Sequence, residues 1–380
     1  MRILVNALSA RLGGGQTYLR NLLLHAPPAP WHIFVLCPDN FDLHGVPPNV
    51  ERVEAGLELN NPYRRALWEN LRLSALIRKL DAQILFCPGG LLPAVNLPSG
   101  VKTVVTFQNM LPFDHVQRQR YPWGARRLRD WLLERGLSAA MRRADLVIFI
   151  SRFAADFIQT AIGSLEGRQV VIPHGIDTRF IADPLHRLPR PSIAPIGEYY
   201  LYVSYIDFYK SQVEVVKAFA ALRREGLAPG TLILAGSAYP PYLSTLRDII
   251  CKLSLNDAVF LTGNLPHEQL PALYQNARLN LFASRTENCP NILMEIMAAG
   301  RPALVANIGP MPEFAANTVR YFDPDAPESI AEAWRKSILN DTDAEELACL
   351  AKARIAGSTW AKASRSTWES IMQICTNQSG

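Results

Sequence analysis

Short apolar runs rich in β-branched residues alternate with longer amphipathic stretches along this chain, and the alternation occurs twice. In the first half the runs are 2–6, 32–37, 84–87, 102–107, 146–150 and 170–173, with helical periodicity between most of them. In the second half they are 200–204, 231–235, 259–262, 279–283 and 302–306. Strands that alternate with helices in this way form βαβ units and parallel sheets. At 380 residues the chain exceeds a single hydrophobic core, so two such domains with a cleft between them are expected. Residues 183–195 hold four prolines and no clear periodicity, which places a linker there. The expected division is 1–184, 185–358, and a terminal amphipathic stretch, 359–380, whose Trp360 and Trp368 pack back across the first domain.

Composition excludes several classes. Hydrophobic residues make up 49% and charged residues 19%, which is the balance of a globular chain. No apolar run reaches the roughly 18 residues needed to span a bilayer, and the apolar start of the chain is too short for a signal peptide and is interrupted by Asn6. The six cysteines are scattered, without a CxxC pair, as expected of thiols in a reducing, cytoplasmic compartment. The net charge of +5 is mild but unevenly placed: residues 118–143 carry eight arginines against Asp130 and Glu134. With Tyr121, Trp123, Leu128, Trp131, Leu132 and Leu133 interleaved, this stretch reads either as an interfacial helix attracted to anionic lipid, with Arg126, Arg127 and Trp131 as contacts, or as a solvated charged face. No recognition motif for nucleic acid accompanies it.

The stretch most informative about chemistry is 284–302, Ser-Arg-Thr-Glu-Asn-Cys-Pro-Asn-Ile-Leu-Met-Glu-Ile-Met-Ala-Ala-Gly-Arg-Pro, directly after an apolar strand. Pro290 suits the first position of a helix, Gly300 its left-handed end, and Pro302 forbids continuation. The amides of Asn291 and Ile292 then open onto the carboxyl edge of a parallel sheet, where anions bind. Glu287 precedes the helix and Glu295 lies one turn beyond Asn291 on the same face, so two carboxylates bracket a phosphate site. Carboxylates tolerate that neighbour when sugar and ribose hydroxyls occupy them, which points to a nucleotide sugar.

The same stretch resembles the E-x7-E motif of family 4 glycosyltransferases, a retaining family with the GT-B fold, and the Ala-Ala-Gly-Arg-Pro that follows resembles that family's A-x-G-x-P. The resemblance implies an α/β GT-B chain, two Rossmann-like domains facing a central cleft. The first would bind acceptor and the second a nucleotide diphosphate sugar. It also implies that Glu287 contacts the donor sugar, Glu295 the ribose, and the amides between them the diphosphate. The loop 201–210 resembles the family's phosphate-binding loop: Lys210 matches, while Tyr205 stands where an arginine is usual, and Ser204 and Gly236 join the donor-binding candidates. Gly14 and Gly15, in the glycine run after the first strand, would face the donor phosphates. Gln108 and Asn109 occupy a strand end where many relatives place a histidine near the sugar.

The Pro173-His174-Gly175-Ile176-Asp177 turn is read as structural, and Asp323-Pro324-Asp325 as a helix start rather than a metal-binding DxD. No metal and no cofactor are expected. Three partners are expected: a nucleotide diphosphate sugar donor, a saccharide or lipid-linked acceptor, and a peripheral contact with anionic membrane. The competing readings are a nucleotide-sugar 2-epimerase of similar fold and a non-catalytic subunit that binds nucleotide sugar or lipid.

Overall fold

Parallel pairing runs through the whole molecule. In the computed structural model, which describes residues 1–11, 13–55, 61–94, 97–183 and 185–376, the strands form one seven-stranded and one six-stranded sheet. Pro184 of the expected linker and residues 377–380 of the expected terminal segment lie outside the described residues. The first sheet comprises β1 (Arg2–Asn6), β2 (His32–Leu36), β3 (Val50–Arg52), β4 (Ile84–Cys87), β5 (Lys102–Phe107), β6 (Leu146–Phe149) and β7 (Arg168–Val171), in the order β3-β2-β1-β4-β5-β6-β7. The second comprises β8 (Tyr199–Val203), β9 (Thr231–Ala235), β10 (Val259–Gly263), β11 (Leu279–Phe282), β12 (Ala303–Ala306) and β13 (Arg320–Phe322), in the order β10-β9-β8-β11-β12-β13.

The helices of the first half are α1 (Gly14–Leu24), α2 (Pro62–Leu80), α3 (His115–Gln119), α4 (Ala125–Arg143) and α5 (Arg152–Ile162). Those of the second half are α6 (Gln212–Arg224), α7 (Pro240–Lys252), α8 (Leu270–Asn276), α9 (Asn291–Ala298), α10 (Met311–Ala315), α11 (Pro327–Leu339), α12 (Asp341–Ile355) and α13 (Trp360–Thr376). The chain divides into two compact units, Met1–Phe113 with Gly124–Gly175 and Thr359–Gly380, and Asp114–Trp123 with Ile176–Ser358. The change of unit therefore falls at the Gly175–Ile176 peptide, and the proline-rich stretch lies inside the second unit.

Each sheet is buried on both faces, as an all-parallel sheet must be. In the first unit, Ile3, Val5, Ile33, Val35, Phe86, Val104 and Ile148 point to one side, where α1 and α13 cover them. Their sequence neighbours Leu4, Phe34, Leu85, Val105 and Val147 point to the other, against Leu73 and Ile77 of α2 and Leu137 and Met141 of α4. The terminal helix α13 is a full member of this core: Trp368 is 2% exposed, sits edge-on to Phe86 at 6.4 Å and donates its indole N–H to Leu22 O at 3.0 Å. Gly175 lets the chain pass α13, because a Cβ there would stand 2.0 Å from Trp360 N. In the second unit Trp334 of α11 is fully buried, edge-on to Tyr200 of β8 at 4.8 Å and stacked on Phe219 of α6 at 5.7 Å.

Replacing Trp368 by alanine removes a fully buried indole and a hydrogen bond, a change that costs about 3–5 kcal/mol in protein cores. We expect Trp368→Ala to unfold the first unit at clearly lower urea concentration, read by circular dichroism, while the second unit's transition stays in place.

Candidate active site

In the second sheet, β8 and β11 are neighbours, but the chain leaves β8 toward β9 and β10 and leaves β11 toward β12 and β13. The loops at their carboxyl ends diverge, and this switch point is where an open α/β sheet accepts a ligand. The loop after β8 carries Ser204, Tyr205 and Lys210, and the loop after β11 carries Glu287 and leads into α9. Gly236 follows β9 beside them with φ +145°, and a Cβ there would lie 2.0 Å from Ser204 O. Ser204 is 4% exposed and accepts from Gln212 Nε2 at 2.9 Å, whereas Tyr205 is 42% exposed.

Lys210 closes a short turn, Phe208–Lys210, that Asp207 caps by accepting from Phe208 N at 2.8 Å. Its carbonyl accepts from the Tyr202 hydroxyl at 2.7 Å, which fixes the backbone. The side chain is 7% exposed, and its ammonium donates to Glu287 Oε1 and lies 4.8 Å from the centre of the Tyr209 ring. Burial alone would depress the lysine pKa, but the Glu287 charge, with Tyr209 and Asp207, raises it above the ordinary value. The raised pKa favours the charged form, and the ammonium lies beyond the carboxyl end of β8, paired with Glu287.

Glu295 projects from α9. Its Oε2 accepts from the buried Tyr274 hydroxyl at 3.1 Å, and its Oε1 lies 3.7 Å from His267 Nε2. Burial lifts the Tyr274 phenol well above its usual pKa, so it remains a donor to the carboxylate. Helix α9 begins at Asn291, with Pro290 in the cap position rather than at the first helical residue, and Gly300 follows at φ +61°. The amide of Ile292 belongs to its first turn, whereas the Asn291 amide, expected from the sequence to face an anion, donates to Cys289 O at 2.9 Å because the chain turns tightly at Pro290.

The first unit holds the other expected site residues. Gly14 and Gly15 begin α1 after Gly13, whose φ is +58°, and α1 has no side-chain cap. Gln108 is half-buried at the end of β5 and donates to Pro88 O at 2.9 Å, while exposed Asn109 accepts from Leu111 N at 3.3 Å. Arg126 and Arg127 are half-buried in the first turn of α4, and Trp131 is 40% exposed with the Arg135 guanidinium 4.1 Å over its ring. The arginine-rich stretch is not one helix: α3 and α4 are separate, and Tyr121, read from sequence as part of the interfacial face, is 1% exposed and packs on Phe208 and Tyr239. The reason is that 114–123 folds into the second unit while α4 belongs to the first.

Three residues of the site escaped the sequence reading. Arg285, 1% exposed at its side chain, donates from Nε to Asp325 Oδ1 at 2.7 Å and from Nη1 to Phe208 O at 2.8 Å, and meets Glu214 Oε1 at 3.3 Å. Its place two residues before Glu287 was the only local signal. Tyr274 and His267 left none, because they reach Glu295 from a separate segment of chain. Asp325 is engaged by arginine, and Asp323 Oδ1 accepts from Asp325 N at 2.9 Å, just before the helix start that the sequence predicts at Pro327.

Residues 12–180 match the family model described as Glycosyltransferase Family 4, and residues 192–354 match the one described as Glycosyl transferases group 1. The first match falls mainly in the first Rossmann-like α/β unit and the second in the other, and the pair of such units is the GT-B type of fold. A GDP-mannose-dependent alpha-(1-6)-phosphatidylinositol monomannoside mannosyltransferase of Mycobacterium tuberculosis is 30% identical over 179 residues, 44% of this chain and 46% of the relative. The chain accordingly spans about half the length of that curated relative. Sucrose-phosphate synthase from Thermosynechococcus elongatus shares the fold with a TM-score of 0.77 over 100% of both chains at 18% identity. Anabaena HepE, solved with UDP and glucose, does so at 0.72 over 98% of this chain and 100% of that one, at 17% identity.

The Glu295 carboxylate, 3.7 Å away, raises the His267 pKa above its ordinary 6.5, against the opposing effect of burial. A raised histidine pKa stabilises the fold fully below the unfolded value, and that contribution is lost as pH rises through the folded value. We expect urea stability to fall as pH rises above 6.5 by a fraction of a kcal/mol, since the imidazole is partly exposed and screened. The same series on His267→Gln should lack that component.

Proposed function

We propose that the chain is a retaining glycosyltransferase that moves a hexosyl group, with mannose the first candidate, from a nucleotide diphosphate sugar to a saccharide or lipid-linked acceptor during assembly of a surface polysaccharide or related glycan. The observation that carries this reading is the buried Lys210–Glu287 pair at the sheet's switch point, with Glu295 on the adjoining helix. The name of the mycobacterial relative supports mannose. In this reading Lys210 and the first turn of α9 at Ile292 stabilise charge that develops on the leaving diphosphate, the electrostatic contribution that often dominates catalysis, and Asn291 takes part only if its amide leaves Cys289 O. Glu287 orients the sugar and stabilises positive character at its anomeric carbon, and Glu295, held by Tyr274, accepts from the ribose. The departing diphosphate oxygen takes the proton of the incoming hydroxyl on the same face, which retains configuration.

Metal independence belongs to the same proposal. Lys210 and the helix amides supply positive charge, while Asp323 and Asp325 are turned to a backbone amide and to Arg285. A thermal-shift panel of UDP, GDP, ADP and their sugar conjugates should raise the melting point with one nucleotide family and be insensitive to EDTA, since a ligand that binds the folded state stabilises it. Lys210→Ala and Glu287→Gln should each lower turnover at least about tenfold, about 1.4 kcal/mol of barrier, with the fold retained. Unchanged turnover in both removes the site assignment. Conversion of donor without acceptor would instead identify an epimerase, and an absence of any binding would favour the non-catalytic reading.

The lipid-linked acceptor draws support from the first half of α4, where Leu128, Trp131 and Leu132 are all exposed among arginines. The last turns of the same helix, with Leu137 and Met141, pack on the sheet. Vesicles containing anionic lipid should sediment the protein, neutral vesicles should not, and Trp131→Ala with Leu128→Ser should weaken sedimentation several-fold.

A further inference from the structure

We propose that the segment Asp114–Trp123 is a clasp that positions the Lys210–Glu287 pair, with Tyr121 and Arg120 as its positioning residues. The segment lies in sequence between β5 and α4 of the first unit, yet it folds as part of the second. It has its own local order: Asp114 accepts from Gln117 N at 3.0 Å and so caps α3, and Gln117 is buried. The chain then delivers two side chains to the loops that carry the candidate catalytic residues.

Tyr121 supplies the apolar half. Its ring meets Phe208 edge-on at 5.4 Å and Tyr239 at 5.8 Å, and Phe208 is itself 4.8 Å from Tyr242. Phe208 is the first residue of the turn that ends in Lys210, and Tyr239 N donates to Ile206 O at 2.9 Å, just ahead of that turn. Four aromatic rings thus cluster at the start of the lysine turn: Phe208 from the turn itself, Tyr239 and Tyr242 from the segment after β9, and Tyr121 from between β5 and α4. Its removal would leave a void against Phe208 and let the turn rotate.

Arg120 supplies the polar half. Its Nη2 meets Asp325 Oδ1 at 2.9 Å, the same oxygen that receives Arg285 Nε at 2.7 Å. Arg285 in turn donates to Phe208 O through its side chain and to Tyr209 O through its backbone, at 2.8 and 2.7 Å. One carboxylate oxygen therefore links the clasp to a guanidinium that ties the lysine turn to the loop bearing Glu287. Neither Tyr121 nor Arg120 is placed on donor or acceptor; both act through the Phe208 turn and Arg285.

The proposal rests on the transferase reading only for its activity readout, so the test pairs activity with hydrogen exchange on the full chain. Tyr121→Ala is expected to lower kcat at least about tenfold while the KM for donor changes less than about twofold, because a displaced Lys210 is felt chiefly in the transition state. Amide exchange at 207–212 and at Arg285 should quicken in the same variant more than elsewhere in the second unit, with the first unit's strands unmoved and only the fall in melting temperature that loss of one buried ring brings. Tyr121→Phe, which keeps the ring, should restore both readouts, and Arg120→Ala should give a milder loss of about two- to fivefold in kcat.

Wild-type kcat and exchange in Tyr121→Ala would overturn the clasp. So would a loss of activity that tracks a general fall in melting temperature and is not rescued by Tyr121→Phe. If Tyr121→Ala does not fold, Arg120→Ala decides by the same pair of readouts. If the wild-type chain transfers no sugar, the transferase reading fails and exchange at 207–212 and Arg285 alone decides the clasp.

Discussion

The arrangement of the second unit depends on one topological constraint: β8 and β11 lie side by side and parallel while the connections that follow them leave in opposite directions. Parallel strands need long crossovers, and right-handed crossovers to either side leave the carboxyl ends of the two central strands uncovered. Every candidate donor residue of this unit hangs from that gap or its edge. The Phe208–Lys210 turn follows β8, the 284–287 loop follows β11, and α9 begins directly after that loop. The first sheet repeats the pattern at β1 and β4, where the glycine run and the Pro88–Gly90 turn stand.

Charge then determines how that opening is furnished. A buried ion pair gains little net stability over well-packed apolar groups, yet breaking it strands the remaining charge. Lys210 and Glu287 meet that description, each less than a fifth exposed and bonded to the other. Such a pair suits a site that must hold a cation ready for an anionic ligand. Arg285 is the counterpart closed off from solvent: its guanidinium is almost fully enclosed, and carboxylates and carbonyls from three segments of chain answer it. The first pair is a candidate for chemistry, and the second cation holds the loops on which that chemistry depends.

Much of the fold was legible locally because a parallel strand buried on both faces is a compact apolar run with clear ends. Two edge strands, β3 and β13, were not, since Val-Glu-Arg and Arg-Tyr-Phe are three residues long and carry charged side chains. β7 begins two residues before the apolar run at 170–173, because Arg168 and Gln169 pair with Leu146 and Val147 although their side chains are polar. The change of packing unit falls after Gly175, about ten residues before the division expected at 184, which itself lies between the two matched stretches 12–180 and 192–354. Proline content marks irregular backbone, but the change of unit follows from packing, and there Gly175 slides past Trp360.

The sequence by itself determined the two parallel α/β sheets, the start and end of α9, and the spacing of Glu287 and Glu295, because strand period, helix punctuation and motif spacing are properties of neighbouring residues. Only the tertiary structure decided that Lys210 closes on Glu287, that Tyr274 and His267 flank Glu295, and that Tyr121 leaves its arginine-rich surroundings to pack on Phe208. These contacts join residues 21 to 87 positions apart, so which side chains meet was set by how helices and loops cover the second sheet, a collective result of packing that no local pattern encodes.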